Sequence, residues 1–411
     1  MSENKNGGLP KLIPVLLGAD LNAYNIAKAF HERYGVVSYA FGRYAVGATK
    51  YSRIVRFTAV ENLDTEEIAI KTLLDFAKEH GGSTLIALGC TDDYVGMISK
   101  NKELLKGSYI VPYIDYDLME RITRKEEFYK ICEELEIPYP KTKIYHKGDT
   151  LDDLGFDYPI IIKPSVSALY WHFPFDGMKK VYRAKSREEA EKIIGAIYGA
   201  GYPENLIIQD TVPGDDSRMY VMTAYCDRNA KVRMMCLGHV LLEEHTPKGL
   251  GNHCAIMTEY NKELYDRFRL FLEKINYVGF ANFDIKYDER DGSLRAFEIN
   301  TRLGRSSDYV TSAGHNTVEW YVSDYVEKKN FEGCIYNDNE IYWRYIPDSV
   351  VFKYLKGDIA GKVRGLIKDG KVYSSLRYPY DFNGSLRRRL YVLIHEFRHK
   401  KKFKTYYPAV K

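Results

Sequence analysis

Cysteine is scarce in this chain and is not arranged in pairs. Six cysteines are scattered over 411 residues, and no Cys-x-x-Cys pattern occurs. A disulfide framework or a structural zinc site requires regularly spaced cysteines. We therefore expect reduced thiols that fill small apolar positions, which excludes both classes of cross-linked protein.

Long hydrophobic runs are absent as well. No segment approaches the roughly 18 consecutive apolar residues that span a bilayer. The first eight residues, Met-Ser-Glu-Asn-Lys-Asn-Gly-Gly, are polar and contain no signal-peptide core. These two absences predict a cytoplasmic protein in which residues 1–10 form a flexible N-terminus.

The chain also lacks the Gly-x-Gly-x-x-Gly pattern of dinucleotide-binding proteins. From residue 11 to about 118 it has instead short apolar runs that alternate with segments of helical periodicity. Such an alternation predicts a Rossmann-like, doubly wound α/β domain. The predicted strands are 11–18, 36–41, 54–58 and 84–88, and the predicted helices are 22–34, 65–80 and one that Thr91 caps.

Positive charge is concentrated near the C-terminus. The formal net charge is +4, yet residues 385–404 hold eight basic residues against Glu396 alone, so the rest of the chain is mildly acidic. The tail interleaves these charges with apolar residues, which is typical both of a helix on anionic lipid and of a docked, solvated helix. Both interpretations stay open, including membrane association at the inner face. No nucleic-acid partner is expected, because no known nucleic-acid-binding module accompanies the charges.

A different pattern of short strands and amphipathic helices begins at about residue 119. This change indicates further α+β structure, in which Pro213 and Gly214 mark a crossing between domains, and a C-terminal extension at 326–411 ends in the basic tail. Lys163 ends an isoleucine-rich strand, and burying its charge requires an anionic partner. A lysine that reaches solvent at the strand end explains this pattern as well. Ser186 is expected to cap the following helix, with Glu189 completing a capping box.

A predicted β-hairpin at 279–300 carries oxygen ligands. Asp284 lies on its first strand and Glu298 and Asn300 lie on its second, where side chains two residues apart share a face. Such oxygens suit Mg²⁺, which typically bridges a few carboxylates to phosphates, and Arg302 follows where it can neutralise a phosphoryl group. Solvated carboxylates remain the alternative for this set, and they are the expectation for the acidic turn residues Asp288, Glu289 and Asp291.

Five motifs in a fixed order resemble those of the ATP-grasp superfamily of carboxylate–amine ligases. In chain order they are Lys125 near a helix start, Pro138-Tyr-Pro-Lys-Thr, Lys163-Pro164, the crossing segment 209–216, and Asp284 with Glu298-x-Asn300-x-Arg302. Their order and spacing extend over about 11–325. The resemblance implies an N-terminal Rossmann-like pre-ATP-grasp domain followed by an ATP-grasp fold of two subdomains, a central one at 119–208 and a C-terminal one at 209–325.

Within that superfamily the chain resembles the peptidoglycan D-aspartate ligases. The shared segments are Pro14-Val-Leu-Leu-Gly-Ala-Asp-Leu-Asn, Val111-Pro-Tyr-Ile-Asp-Tyr, Pro213-Gly-Asp-Asp-Ser, Arg233-Met-Met-Cys-Leu-Gly-His and Gly304-Arg-Ser-Ser. Those enzymes attach an acidic D-amino acid to the lysine side chain of the cell-wall precursor stem peptide. The resemblance therefore implies an amino acid and a nucleotide-linked peptide precursor as substrates. A ligase for another amino acid or dipeptide in secondary metabolism, and a non-catalytic nucleotide-binding scaffold, remain alternatives.

The resemblance also implies roles for individual residues. ATP would lie between the two ATP-grasp subdomains, with Mg²⁺, or Mn²⁺ as a substitute, on its phosphates. Lys125 and Lys163 would contact the phosphates, and Lys163 and Arg302 would be catalytic through charge neutralisation. Arg305 and Ser306 are expected to grip the acidic amino acid, although a surface charge explains Arg305 nearly as well. The other implied roles are adenine recognition by Gln209, Asp210, Thr211 and Val212, ribose binding by Asp216, and metal ligation by Asp284, Glu298 and Asn300.

Two departures from the family pattern concern the ATP site. The segment in place of the glycine-rich phosphate lid begins at Ser165 and has no glycine before Gly177. The acid expected to hold the ribose hydroxyls is Asp216, where glutamate is more frequent. The contacts that close over the phosphates therefore stay open.

Overall fold

The computed structural model describes residues 11–246 and 249–408. The predicted flexible N-terminus, residues 1–10, lies outside the described residues. The chain divides into two compact units. Unit 1 comprises Met1–Tyr116, Val221–Asn282 and Asn300–Lys411, and unit 2 comprises Asp117–Tyr220 and Phe283–Ile299.

The described residues form strands and helices in the following order. The strands are β1 (Leu12–Leu17), β2 (Ser38–Gly42), β3 (Val55–Ala59), β4 (Thr84–Gly89), β5 (Tyr109–Ile110), β6 (Thr142–Tyr145), β7 (Ile160–Pro164), β8 (Tyr182–Ala184), β9 (Leu206–Asp210), β10 (Met219–Cys226), β11 (Val232–Glu243), β12 (His253–Glu259), β13 (Gly279–Asp288), β14 (Ser293–Asn300), β15 (Ile335–Tyr336), β16 (Tyr342–Arg344) and β17 (Val372–Ser374). The helices are α1 (Leu21–Tyr34), α2 (Glu66–Glu79), α3 (Asp92–Lys100), α4 (Lys102–Leu105), α5 (Tyr116–Thr123), α6 (Lys125–Glu134), α7 (Ser167–Tyr170), α8 (Arg187–Gly199), α9 (Lys262–Lys274), α10 (Asp308–Ser312), α11 (Thr317–Tyr321), α12 (Asp348–Val351), α13 (Gly357–Lys368), α14 (Pro379–Phe382) and α15 (Leu386–Tyr406).

Unit 1 begins with a parallel five-stranded sheet in the order β3-β2-β1-β4-β5. The core of β1, Val15 to Leu17, is fully buried, as expected for a strand that helices cover on both faces. The predicted doubly wound α/β domain is confirmed. The Thr91 side chain accepts a hydrogen bond from the Tyr94 amide at 3.4 Å, so the predicted cap of α3 is also confirmed.

A second sheet in unit 1 includes strands that the sequence left unread. The full sheet has eight strands in the order β14-β13-β10-β11-β12-β16-β17, with β15 beside β11. The C-terminal extension supplies β15, β16 and β17, and β16 pairs antiparallel with β12. Trp343 of β16 is fully buried and its Nε1 donates to the Asp308 carboxylate at 2.9 Å. The extension is therefore part of this sheet and its core.

Unit 2 contains a four-stranded antiparallel sheet in the order β6-β9-β7-β8. Isoleucines of β7 and β9 pack with α8 to form its core. Ser186 caps α8 by accepting from the Glu189 amide at 3.3 Å, as predicted. The Glu189 carboxylate accepts from the amide of Lys185, one residue before the cap, which is a variant of the predicted capping box.

The basic tail forms α15, which docks on unit 1 along one face. Arg388, Val392, His399 and Phe403 are buried on that face. The Arg388 guanidinium pairs with Asp381 at 3.0 Å and lies 4.4 Å from the centre of the Tyr24 ring. The docked-helix interpretation is therefore confirmed. None of the described helices has the length and apolarity needed to cross a bilayer.

Candidate active site

Two lysines that the sequence singled out lie beside one carboxylate in unit 2. Lys125 is the first residue of α6, and Lys163 lies near the end of β7. Both are buried. The Lys125 ammonium contacts the Glu298 carboxylate of β14 at 2.9 Å, and Lys163 Nζ lies 5.6 Å from the centre of the Phe297 ring. We refer to Lys125, Lys163, Lys180 and Glu298 as the lysine cluster.

The electrostatics of this cluster show an excess of positive charge. Burial, with a smaller contribution from the charge of Lys125, lowers the pKa of Lys163 to about 7. The charge of Lys125 also holds the pKa of Glu298 well below its usual range, with contributions from Lys180 and Lys163. One carboxylate does not neutralise three ammonium groups, so the cluster suits an additional anion. Lys180 was missed as a site residue because it lies in an exposed basic run.

The crossing segment after β9 is held firmly within unit 2. Gln209 is fully buried, and its amide nitrogen donates to the Tyr129 hydroxyl at 2.9 Å and to Thr142 Oγ1 at 2.8 Å. Its Oε1 atom is buried and has no hydrogen-bond partner among the described residues. Thr211 Oγ1 donates to the Pro159 carbonyl at 2.5 Å. The segment therefore retains a buried acceptor that a donor such as the adenine amino group can satisfy.

The remaining groups of the crossing segment differ in exposure. The Val212 carbonyl accepts from Lys286 Nζ at 3.0 Å. Asp216 is the first residue of a 3₁₀ turn at Asp216–Arg218, which the Asp215 side chain caps by accepting from the Ser217 amide. The partly exposed position of Asp216 leaves it accessible from solvent.

The hairpin turn contacts this segment through a network of charged side chains. The expectation from the sequence was wrong for one member of this network, Asp288. Asp288 was expected to be solvated, but it is fully buried between Arg290 at 2.7 Å and Arg295 at 2.8 Å. The hydrogen bond from Arg290 is the main reason that its pKa falls to about 2. Arg290 also contacts the Asp210 carboxylate at 2.6 Å. The other turn acids, Glu289 and Asp291, are exposed as expected.

The three predicted metal ligands are distributed over two strands. Asp284 on β13 and Glu298 on β14 are partly buried and belong to unit 2, whereas Asn300 falls within unit 1. Asn300 Nδ2 donates to the Asn282 carbonyl at 3.4 Å. Across 11–246 and 249–408, no group of three or more His, Cys, Asp and Glu side chains is arranged to hold a metal ion. Hard oxygen donors of this kind fit Mg²⁺ when phosphate and water complete its shell, so the metal site stays a prediction.

Arg302 is engaged within unit 1. Its guanidinium pairs with Asp92 at the start of α3, with Nε 2.7 Å from Oδ1 and Nη2 3.0 Å from Oδ2. The Asp92 side chain is largely exposed, so this contact is open to exchange with a competing anion. The catalytic role of Arg302 stays a prediction.

Arg305 and Ser306 follow β14 in unit 1. Ser306 is buried. The Arg305 carbonyl accepts from Asn25 Nδ2 at 2.9 Å, and its guanidinium lies 5.4 Å from the centre of the Tyr345 ring. Burial raises the pKa of nearby Asp20, and the charge of Arg305 opposes that effect. Arg305 is thus a half-buried cation against an aromatic ring, and the alternative of a surface charge does not apply.

Comparisons with known proteins agree with this architecture. The chain is 40% identical over 384 residues to the D-aspartate ligase of Enterococcus faecium (strain Aus0004), a match that covers 90% of this chain and 91% of the relative. No protein-family model matches the chain.

Solved structures resemble the fold at low sequence identity. N5-carboxyaminoimidazole synthetase from Staphylococcus aureus matches with a TM-score of 0.55 and 14% identity, covering 83% of each chain. The L-amino acid ligase from Bacillus licheniformis matches with a TM-score of 0.52 and 17% identity, covering 76% of this chain and 73% of that one. At such identities the likeness concerns the fold, which is that of the ATP-grasp enzymes.

Proposed function

The chain belongs to the D-aspartate ligase family, and from this premise we propose that it uses ATP to join D-aspartate to the lysine side chain of a nucleotide-linked peptidoglycan precursor. The coarser activity, that of an ATP-dependent carboxylate–amine ligase, follows from family membership and fold together. The identity of the amino acid and of the amine is the proposed part. Both proposed substrates are small molecules.

The proposed reaction proceeds through an acyl phosphate. A carboxylate oxygen of the amino acid attacks the γ-phosphorus of ATP, the bond to the bridging oxygen breaks, and ADP leaves. The amine then attacks the acyl carbon, the carbon–oxygen bond to phosphate breaks, and the amine loses a proton. The products are an amide, ADP, inorganic phosphate and a proton. Catalysis consists mainly of positioning the reactants and neutralising charge.

The observation that carries this proposal is the lysine cluster. A buried lysine whose pKa has fallen to about 7 is an uncompensated cation site, and a polyphosphate is the anion that restores its charge. Lys163 and Lys125 would bind the phosphates as point charges. Mg²⁺, with Mn²⁺ as a substitute, would be held by Asp284, Glu298 and Asn300 and would neutralise phosphate charge.

The nucleoside end of ATP is assigned to the crossing segment. The buried Gln209 Oε1 atom without a partner among the described residues supports adenine recognition there, together with the backbone of Asp210, Thr211 and Val212. Asp216, which is accessible from solvent, is proposed to hold the ribose hydroxyls. Arg302 is proposed to take phosphoryl charge in exchange for Asp92.

The outer face of α15 is proposed to contact anionic lipid. Opposite its docked face the helix exposes apolar side chains, and basic residues flank them on both sides, a pattern typical of interfacial helices. Three of these side chains are more than half exposed: Leu386 at 85%, Phe397 at 69% and Leu390 at 60%. ATP and nucleotide-linked precursors are cytoplasmic, so the contact would be at the inner face of the membrane.

Vesicle sedimentation tests this contact. The full chain is expected to sediment with phosphatidylglycerol vesicles and to remain in solution with phosphatidylcholine vesicles, and the double variant L390E/F397E is expected to lose sedimentation. Equal binding to both lipids, or none to either, would remove the lipid from the proposal without affecting the ligase.

Phosphate release tests the ligase function. We expect phosphate to be released from ATP only when D-aspartate and a lysine-containing UDP-muramoyl pentapeptide are both present. The same assay with a panel of D- and L-amino acids and other amines covers the rival substrates. Turnover with a different pair would replace the substrates and keep the ligase. Absence of turnover with every pair, despite ATP binding, would favour a nucleotide-binding scaffold.

A further inference from the structure

A second group of polar side chains surrounds Tyr345 in unit 1, and of its members only Arg305 belongs to a motif described above. Tyr345 follows β16, and its amide donates to the Cys254 carbonyl at 3.1 Å. Its ring lies 5.4 Å from the Arg305 guanidinium and 6.1 Å from the centre of the His395 ring. We refer to Arg305, Tyr345, Glu244, His395 and His399 as the Tyr345 cluster.

Glu244 is fixed in this cluster through one of its two oxygens. The Tyr345 hydroxyl donates to Glu244 Oε2 at 2.9 Å, and His399 Nε2 contacts the same oxygen at 3.3 Å. The Glu244 amide donates to the Asn252 carbonyl at 2.7 Å. Residue Glu244 is only 3% exposed. Contacts within the cluster, and not water, therefore set the orientation of its carboxylate.

Three polar atoms of the cluster are buried and have no hydrogen-bond partner within the described part of the chain: Arg305 Nε, Glu244 Oε1 and His395 Nδ1. An unsatisfied buried polar group costs free energy, and native proteins rarely retain one without a reason. Three of them around one aromatic ring indicate a place for a polar molecule.

The charges within the cluster are nearly balanced. Burial opposes ionisation of Glu244, but the hydrogen bond and charge of His399 lower its pKa to about 2, so it is a carboxylate at neutral pH. Burial is the main reason that the pKa of His395 falls to about 3. The charges of His399, Lys402 and Arg305 contribute to this fall, and the charge of Glu244 opposes it. His395 is therefore neutral, and the cluster offers the Arg305 cation, the Glu244 anion and the imidazoles of His395 and His399.

This combination complements a zwitterion. We propose that the Tyr345 cluster binds the amino-acid substrate, with Arg305 and His395 receiving a carboxylate and Glu244 Oε1 receiving the ammonium group. A carboxylate held by arginine and imidazole and an ammonium beside a carboxylate are charge-assisted hydrogen bonds. The second carboxylate of a dicarboxylic amino acid stays outside the cluster and remains available for phosphorylation.

The proposal rests on the proposed ligase function and gives the C-terminal extension a role in it. Tyr345 and both histidines come from the extension, and the histidines lie on the docked face of α15. The spacing of His395 and His399, four residues, brings both onto that face. The specificity of the enzyme would then reside partly in a helix outside the motifs of the superfamily.

The test uses the full chain and two variants with a matched control. E244Q keeps the size of the side chain and removes the charge that would hold the ammonium, and H395A removes the imidazole. L393A changes an exposed residue of the same helix. KM for D-aspartate and KM for ATP are measured by phosphate release with the precursor present, D-aspartate binding is measured by titration without ATP, and unfolding is followed thermally.

We expect E244Q and H395A to raise KM for D-aspartate about tenfold or more, the effect of one lost charge-assisted contact, while KM for ATP changes little. L393A is expected to match the wild type in both constants. Unchanged KM for D-aspartate in E244Q and H395A would overturn the proposal, as would an equal rise of both KM values with a lowered melting temperature. The first result would leave the cluster filled by ordered water only, and the second would make it a packing feature.

The wild-type control separates this proposal from the proposed function. If the wild type turns over D-aspartate and the variants are unaffected, the proposed role of the Tyr345 cluster is wrong and the proposed function stands. If the wild type uses another amino acid, D-aspartate is wrong, and the same variants are measured with that amino acid. A rise in its KM would support the cluster, and an unchanged KM would overturn it.

Discussion

The lysine cluster of unit 2 and the Tyr345 cluster of unit 1 both contain buried polar side chains, but they differ in how their charges balance. The lysine cluster has three ammonium groups and one carboxylate, so its main property is excess charge. The Tyr345 cluster is nearly neutral, and its main property is unsatisfied hydrogen-bonding atoms. Excess charge attracts a polyanion with little demand on geometry, whereas unsatisfied donors and acceptors select a ligand by shape and polarity.

Removing the cation at Lys163 is expected to have the largest effect on activity. K163M should lower the rate of phosphate release by about 10²–10³-fold, as for other donors that stabilise developing charge. The free energy of unfolding should not fall, because a buried charge without a full partner has been removed. The control K180M changes an exposed lysine and should have a smaller effect. Near wild-type turnover in K163M would show that excess charge is not what this cluster contributes.

Breaking the charge network around Asp288 in unit 2 is expected to lower the stability of the protein more than its catalytic rate. D288A removes a buried carboxylate held by two arginines and should lower the free energy of unfolding by about 3 kcal/mol. The exposed Asp291 offers the matched control, since D291A should cost less than about 1 kcal/mol. Urea denaturation measures both. Similar values for the two variants would mean that Asp288 is solvated after all.

Measuring each variant with the ligands of both clusters tests whether the two clusters bind independently. K163M should bind D-aspartate in the absence of ATP as the wild type does, and E244Q should bind ATP as the wild type does. Each variant should lose affinity, by about tenfold, only for the ligand of its own cluster. Calorimetric titration of both ligands into both variants gives the four values. A loss on the opposite ligand would show that the clusters are not independent.

The smallest expected effect is the uptake of a proton when ATP binds. Lys163 has a pKa of about 7 with no nucleotide bound, and an ATP phosphate beside it should raise that value. ATP binding at pH 8.5 should therefore take up close to one proton, and ATP affinity should fall as pH rises above about 7. Titrations in two buffers of different ionisation enthalpy measure this uptake, and K163M should show none from this group. By the same linkage, the unliganded protein gains stability from this group between pH 7 and the ordinary lysine pKa, because the unfolded state binds more protons there.

The sequence predicted the lysine cluster better than the Tyr345 cluster, and the reason is physical. Lys163 at the end of an isoleucine run is a local conflict between charge and burial, and such a conflict is visible in one short segment. Glu244, Tyr345 and His395 are ordinary residues in three distant segments, and only the pairing of β12 with β16 and the docking of α15 bring them together. No local pattern carries that information.

The same limit explains the wrong expectation for Asp288. Its place in an Asp-Gly-type turn is typical of solvated acids, and its burial depends on Arg290 and Arg295 folding over it. Strands β1 to β4 of the N-terminal domain were predictable to within about two residues from their short runs of strand-forming residues, whereas the two-residue strand β5 was not predicted. The C-terminal extension was not readable, because its strands are short and joined by irregular segments.

The lowered pKa of Lys163 also has a consequence for how the protein is handled. An unprotonated amine is a nucleophile, and at pH 8 this lysine is largely unprotonated, whereas ordinary surface lysines are not. Small electrophiles such as cyanate, which accumulates in urea solutions, should modify Lys163 before the others. Bound nucleotide would protect it, so storage with ATP would preserve activity where storage without it would not.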